Sequence, residues 1–242
     1  MNTLARVLAP ALLLATVLLP PRAISASSYQ PLIPGTEWIY DASDGAAVDT
    51  IRVIGPSTID GVAATEFRYS GLDTGLSNYW TVEADGTVLF HGFDRPAESF
   101  AVHYVPALRF VRPPLTAGAT WSDTVIAKCF RSPCAEDTVP LRIRWTSNGA
   151  ASTTVPAGTF ATVAIAQGLD DVSLASVWSA PYSLLGTRLP PRKAQTRSCC
   201  DYMRWWAVDV GLVQDSNWIL RSFGSPTAAR ATRWGELKLR YR

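Results

Sequence analysis

The residue types that could carry chemistry are few: two histidines, His91 and His103, and four cysteines, Cys129, Cys134, Cys199 and Cys200. A metal held by two histidines needs carboxylate help. The acids nearest His91, Asp94 and Glu98, follow no ligand spacing. His91 closes the strand-like run TVLF before Gly92, and His103 sits inside FAVHYV. Both are expected to be ordinary surface or hydrogen-bonded histidines. No G-x-S-x-G elbow and no S-x-x-K occurs, so a serine triad could be assembled only by choosing its members freely. Asp170 and Asp171 are adjacent carboxylates, but extended backbone sends them to opposite sides, unlike a glycosidase pair. Phosphate-cradling glycine loops are absent as well. The sequence therefore names no catalytic residue, no metal ligand set and no cofactor, and the expectation leans to a non-catalytic protein.

The cysteines carry a different chemistry. Their even number in an exported chain points to disulfides. A Cys129–Cys134 bond would leave Cys199 and Cys200 to close a strained ring of adjacent residues. Two cross-bridges between the Cys129 and Cys199 segments avoid that strain and are the preferred expectation. No C-x-x-C spacing supports zinc or thiol redox catalysis.

Export is read from the N-terminus. Arg6 precedes an apolar run, Val7–Leu19, and small residues Ala23–Ala26 follow. The run is too short for a membrane span and is expected to be a signal peptide over residues 1–26. No later segment is apolar enough to cross a bilayer. Arg6 and Arg22 would leave with the signal, which contains no acid, so the mature chain carries equal numbers of basic and acidic residues. That balance gives no reason to expect nucleic acid as a partner.

The elements that must position any site are strands. Period-two alternation appears in TIRVI (Thr50–Ile54), TEFRY (Thr65–Tyr69), LRIRW (Leu141–Trp145) and ELKLRY (Glu236–Tyr241). Such alternation marks antiparallel sheets with one buried and one wet face. Asp60-Gly61 and Asp85-Gly86 are hairpin dipeptides. Pro156 with Gly158 suits a turn that folds the segment before Val155 back on the segment after Thr159. Residues 27–242 are expected to form a single β domain, interrupted by an irregular insertion over 170–200.

Nine tryptophans raise the question of a ligand surface. Core packing explains most of them, because they fit the alternation. A concave aromatic face for an apolar molecule is the sharper alternative, with Trp178 and Tyr182 in the insertion and the adjacent Trp205 and Trp206 as its candidate residues. In a strand, one of Trp205 and Trp206 must face the core and the other away.

Four phrases, PLIPGTEWIY (Pro31–Tyr40), PLTAGATW (Pro114–Trp121), VPAGTFATVAI (Val155–Ile165) and WWAVDVGLVQ (Trp205–Gln214), together resemble a broad group of exported bacterial β proteins of unknown function. The last phrase departs from that pattern, with Val208-Asp209 where a Pro-Gly turn is common. The resemblance covers about residues 31–223. It implies a curved, partly open sheet similar to periplasmic lipoprotein carriers, and it supplies no catalytic residues. The resulting expectation is an all-β, antiparallel, curved sheet or half-open barrel, exported to the periplasm or beyond. It would bind an apolar or envelope-derived molecule, or serve the envelope as a structural or interaction module. A hydrolase of unrecognised type is the third reading. The doubled phrase Pro-Leu-x-x-Gly-x-x-Trp is read as scaffold, each glycine allowing a bend before a strand.

Overall fold

The computed structural model of the chain describes residues 28–130, 138–169 and 202–224. The signal segment, the insertion over 170–200, the strand-like Glu236–Tyr241, and Cys134, Cys199, Cys200, Trp178 and Tyr182 lie outside the described residues.

Twelve strands among the described residues form one closed barrel in which every strand is antiparallel to its neighbours. They are β1 (Glu37–Ala42), β2 (Val48–Ile59), β3 (Val62–Gly71), β4 (Ser77–Val82), β5 (Val88–Arg95) and β6 (Phe100–Val111), then β7 (Thr120–Phe130), β8 (Thr138–Val155), β9 (Gly158–Leu169), β10 (Tyr202–Ala207), β11 (Gly211–Asp215) and β12 (Trp218–Gly224). Each pairs with the next in sequence, and β1 closes the ring on β12, with Trp38 opposite Phe223 and Ala42 opposite Trp218. This corrects the expected curved sheet or half-open barrel: the ring is shut, which removes both sheet edges.

The alternation acts as expected. Along β8, Val139, Leu141, Ile143 and Trp145 are buried, while Pro140, Arg142 and Arg144 are exposed. Outward positions elsewhere carry Arg52 paired with Glu37, Arg68 with Glu66, and Arg221 with Asp41. At these positions apolar side chains point in and charged ones out, the reverse of the lipid-facing pattern of a membrane barrel. No helix among the described residues is long and apolar enough to cross a membrane.

The doubled phrase builds the same entry into two different strands. In the first copy Thr36 N–H donates to Ile33 O (3.0 Å), Gly35 N–H to Val53 O (2.8 Å), and Val53 N–H to Thr36 O (2.9 Å). In the second, Ala119 N–H donates to Thr116 O (3.1 Å), Gly118 N–H to Ser147 O (2.8 Å), and Ser147 N–H to Ala119 O (2.8 Å). Gly35 and Gly118 take φ of 83° and 81°, the left-handed region that glycine enters without strain. Beyond each entry the partner strand is bulged, at Val53/Gly55 in β2 and at Ser147/Gly149 in β8. A second matched pair of bulges follows, at His91 in β5 opposite Tyr79/Trp80 and at Val213 in β11 opposite Trp205/Trp206. The barrel is thus built from two six-strand halves, β1–β6 and β7–β12, that repeat the same local devices.

Trp38 and Trp121, the last residues of the two copies, lie on one file of aromatic rings across the interior, which Phe223 extends beyond Trp38 (5.8 Å). Trp38 stacks on Phe67 (5.5 Å between centroids), and Phe67 meets Trp80 (6.2 Å). Trp80 meets Phe110 (5.3 Å), Phe110 meets Trp145 (4.8 Å), and Trp145 stacks on Trp121 (6.2 Å). A twelve-strand ring is wider than the roughly eight-strand ring that ordinary side chains fill, and large aromatic side chains make up the difference. Where the resemblance pattern has Pro-Gly, Asp209 takes φ of 61° and its carboxylate accepts the Ser28 N–H at 3.2 Å, tying down the N-terminal segment.

Candidate functional site

The two histidines lie on neighbouring strands and take different partners. His91 in β5 shares a hydrogen bond with Thr81 Oγ1 (2.8 Å), and burial holds its pKa below the ordinary histidine value. His103 in β6 places Nε2 at 3.2 Å from Asp94 Oδ1, while the Tyr79 hydroxyl donates to Asp94 Oδ2 at 2.9 Å. Tyr79 packs with Ile59 and Ala64 of the β2–β3 hairpin, in a small cluster separate from the main core. This Tyr–Asp–His group thus lies on the outer side of the wall. Ser77 on the same strand donates its hydroxyl to Glu66 instead. Three or more metal-ligating side chains do not gather anywhere among the described residues.

The more unusual chemistry is inside. The barrel end formed by the β1–β2, β3–β4, β5–β6 and β11–β12 connections carries polar side chains pointing into the core. Asp49 and Asp73 are wholly buried there, and Asp73 N–H donates to Asp49 Oδ1 at 3.3 Å. Arg95, equally buried, forms an ion pair with Asp73 and donates to Glu98 Oε1 at 3.1 Å. The chain packs tightly at this point. A Cβ on Gly71 (φ 108°) would come within 2.4 Å of Val48 O and 3.0 Å of Asp49 Oδ1. Burial first, and the neighbouring Asp73 charge second, push the Asp49 carboxyl up to about 8.

At the same end of the barrel, Asp215 accepts the backbone N–H groups of Asn217 (2.6 Å) and Trp218 (2.8 Å). Arg204 is buried opposite it, donating to Gln167 and lying over the rings of Phe110 (5.2 Å) and Tyr202 (5.3 Å). Desolvation lowers the Arg204 pKa, which Asp215 partly offsets. Tyr40 donates its hydroxyl to Leu212 O (2.7 Å) and Asn78 donates to the Tyr69 hydroxyl (2.8 Å). Burial raises both tyrosine pKa values well beyond the usual range.

Two cavities adjoin this polar end. One, of about 30 Å³, is bordered by Asp49, Asp215, Tyr40, Tyr69 and Trp218; the other, also about 30 Å³, by Gln30, Trp38, Trp80 and Trp206. Of the residues expected to line an apolar ligand surface, Trp206 is buried in the core and borders the second cavity, whereas Trp205 is half-buried and borders neither. Trp178 and Tyr182 lie outside the described residues. Cys129 is buried at the end of β7 and is not a free thiol. Its possible partners, Cys134, Cys199 and Cys200, are also outside the description.

The buried charges escaped the sequence reading, although parity offered a signal. Asp49 shares the inward parity of Ile51 and Val53 along β2, and Arg204 that of Trp206 along β10. An ionisable residue on the apolar side of an alternating strand is the feature that would have pointed to them.

No family model matches the chain, and neither does any curated protein. Two solved structures are similar to it. One, provisionally described as a lipoprotein, comes from Parabacteroides distasonis; it is 13% identical over 82% of this chain and 99% of its own, with a TM-score of 0.37. The other, provisionally described as an exported protein with a YmcC-like fold, comes from Bacteroides fragilis; it is 12% identical over 82% of this chain and all of its own, with a TM-score of 0.42.

Proposed function

We propose that the chain is an exported, non-catalytic β-barrel that serves the cell envelope as a structural or interaction module. The observation that carries this reading is the packing among the described residues. One continuous aromatic and aliphatic core spans the described barrel, and two cavities lined by described residues measure about 30 Å³ each. A pocket for a drug-sized or larger molecule needs on the order of 300 Å³ or more. A carrier of an apolar ligand would have to open that core, losing stacked contacts such as Trp38 on Phe67. The charged outer wall supports a barrel that works in water rather than one that spans a bilayer.

Native mass spectrometry of the mature protein taken from its host's envelope fraction tests the reading. A ligand-free mass is expected, and a stoichiometric lipid or other apolar molecule would overturn it in favour of a carrier. The same sample reports on export and oxidation. Its N-terminus should lie near residue 27, and its non-reduced mass should fall short of the reduced one by the hydrogens of two disulfides.

A further inference from the structure

Among the buried donors left without an acceptor are the indole N–H groups of Trp80 and Trp206, beside Arg204 Nε and Gln167 Nε2. Trp80 and Trp206 are only 3% and 2% exposed. An indole nitrogen can only donate, and a buried donor left without an acceptor loses its hydration with nothing in return. A native core rarely leaves two such groups unmet. Trp80 comes from β4 and Trp206 from β10, equivalent strands of the two halves, yet both border the same cavity.

That cavity is continuous in its lining with the neighbouring one. Tyr40, Ile51, Tyr69 and Leu212 border both, and the neighbouring cavity adds the carboxylates of Asp49 and Asp215. One end of the combined space therefore offers donors and the other offers acceptors. Each part holds about 30 Å³, and a water molecule needs about 10–15 Å³ measured the same way. Organic ligands and oxyanions are too large. An anion would also face Asp215 with no cation on the lining, and a cation would meet the two N–H donors. Water alone both accepts and donates at this size.

We infer that the two cavities form one internal water site. Water accepts the Trp80 and Trp206 indole N–H groups at one end and donates to Asp49 and Asp215 at the other. Bound there, water meets the two indole donors that the protein leaves unmet. The polar residues on the cavity walls thus become part of a hydrated seam through an otherwise apolar barrel.

Nuclear Overhauser spectroscopy at the water frequency, on ¹⁵N-labelled full-length mature protein, tests this directly. The wild-type spectrum should show cross-peaks from both indole Hε1 protons to water, with the sign of long-lived bound water rather than of chemical exchange. Resolved indole resonances without such peaks overturn the proposal, and no variant is needed for that decision. Leu212→Phe fills the shared boundary of the cavities and should weaken both peaks. A folded Leu212→Phe protein with both peaks undiminished also overturns it.

Discussion

Asp73 donates its backbone N–H to the carboxylate of Asp49, which sets two buried acids side by side with one guanidinium, Arg95, on Asp73. Arg95 is shared further with Glu98, so the surplus negative charge falls on Asp49. Its carboxyl is pushed from 3.8 in the unfolded chain to about 8 in the barrel. The folded state therefore binds more protons than the unfolded state between these values. Stability from this group is fully present below about pH 4 and is lost as pH rises through about 8. Asp49→Asn keeps the shape and removes the titration. Urea unfolding at pH 5 and pH 8 should show wild type losing on the order of a few kcal/mol relative to Asp49→Asn. Parallel pH profiles for the two proteins would falsify this account.

Arg95 makes the opposite test. It is 2% exposed and neutralises Asp73, which is wholly buried. Arg95→Met strands a carboxylate in the core and should cost about 3–5 kcal/mol at pH 7. Adding Asp73→Asn removes the stranded charge and should restore part of that loss. The measurement is a double-mutant cycle from urea midpoints. Additive losses would show that the two residues do not act as a pair.

These buried charges mark the limit of what the sequence discloses. Strand type was legible because Leu141, Ile143 and Trp145 alternate with Arg142 and Arg144, and the two-residue Asp60-Gly61 turn was legible because both residues take positive φ. Closure was not, because the pairing of Trp38 with Phe223 joins the two ends of the described barrel, and periodicity carries no information about such long-range partners. The interior charges were hidden for a related reason. Asp49, Asp73 and Arg95 stand on three different strands or loops, and only barrel geometry brings them together. The Tyr79–Asp94–His103 group is likewise assembled across β4, β5 and β6, out of reach of any spacing rule.

The doubled phrase permits a test of the two-half architecture. Trp38 donates its indole N–H to Val210 O (2.5 Å) and Trp121 donates its own to Arg109 O (2.7 Å). They lie on the same file of rings with four rings between them, Trp38 on Phe67 and Phe223 and Trp121 on Trp145, with no aromatic partner in common. Trp→Phe at either site removes one hydrogen bond and part of a stacked ring. Each loss should be about 1–3 kcal/mol from the bond and the space left behind. Because the sites are separated along the file and share no partner, the double substitution should be additive to within about 0.5 kcal/mol. Unfolding in urea, followed by circular dichroism to avoid counting the lost fluorophores, measures all three variants. A strong coupling would mean that the ring file transmits strain across the barrel as one unit, and the two halves would then not be independent modules.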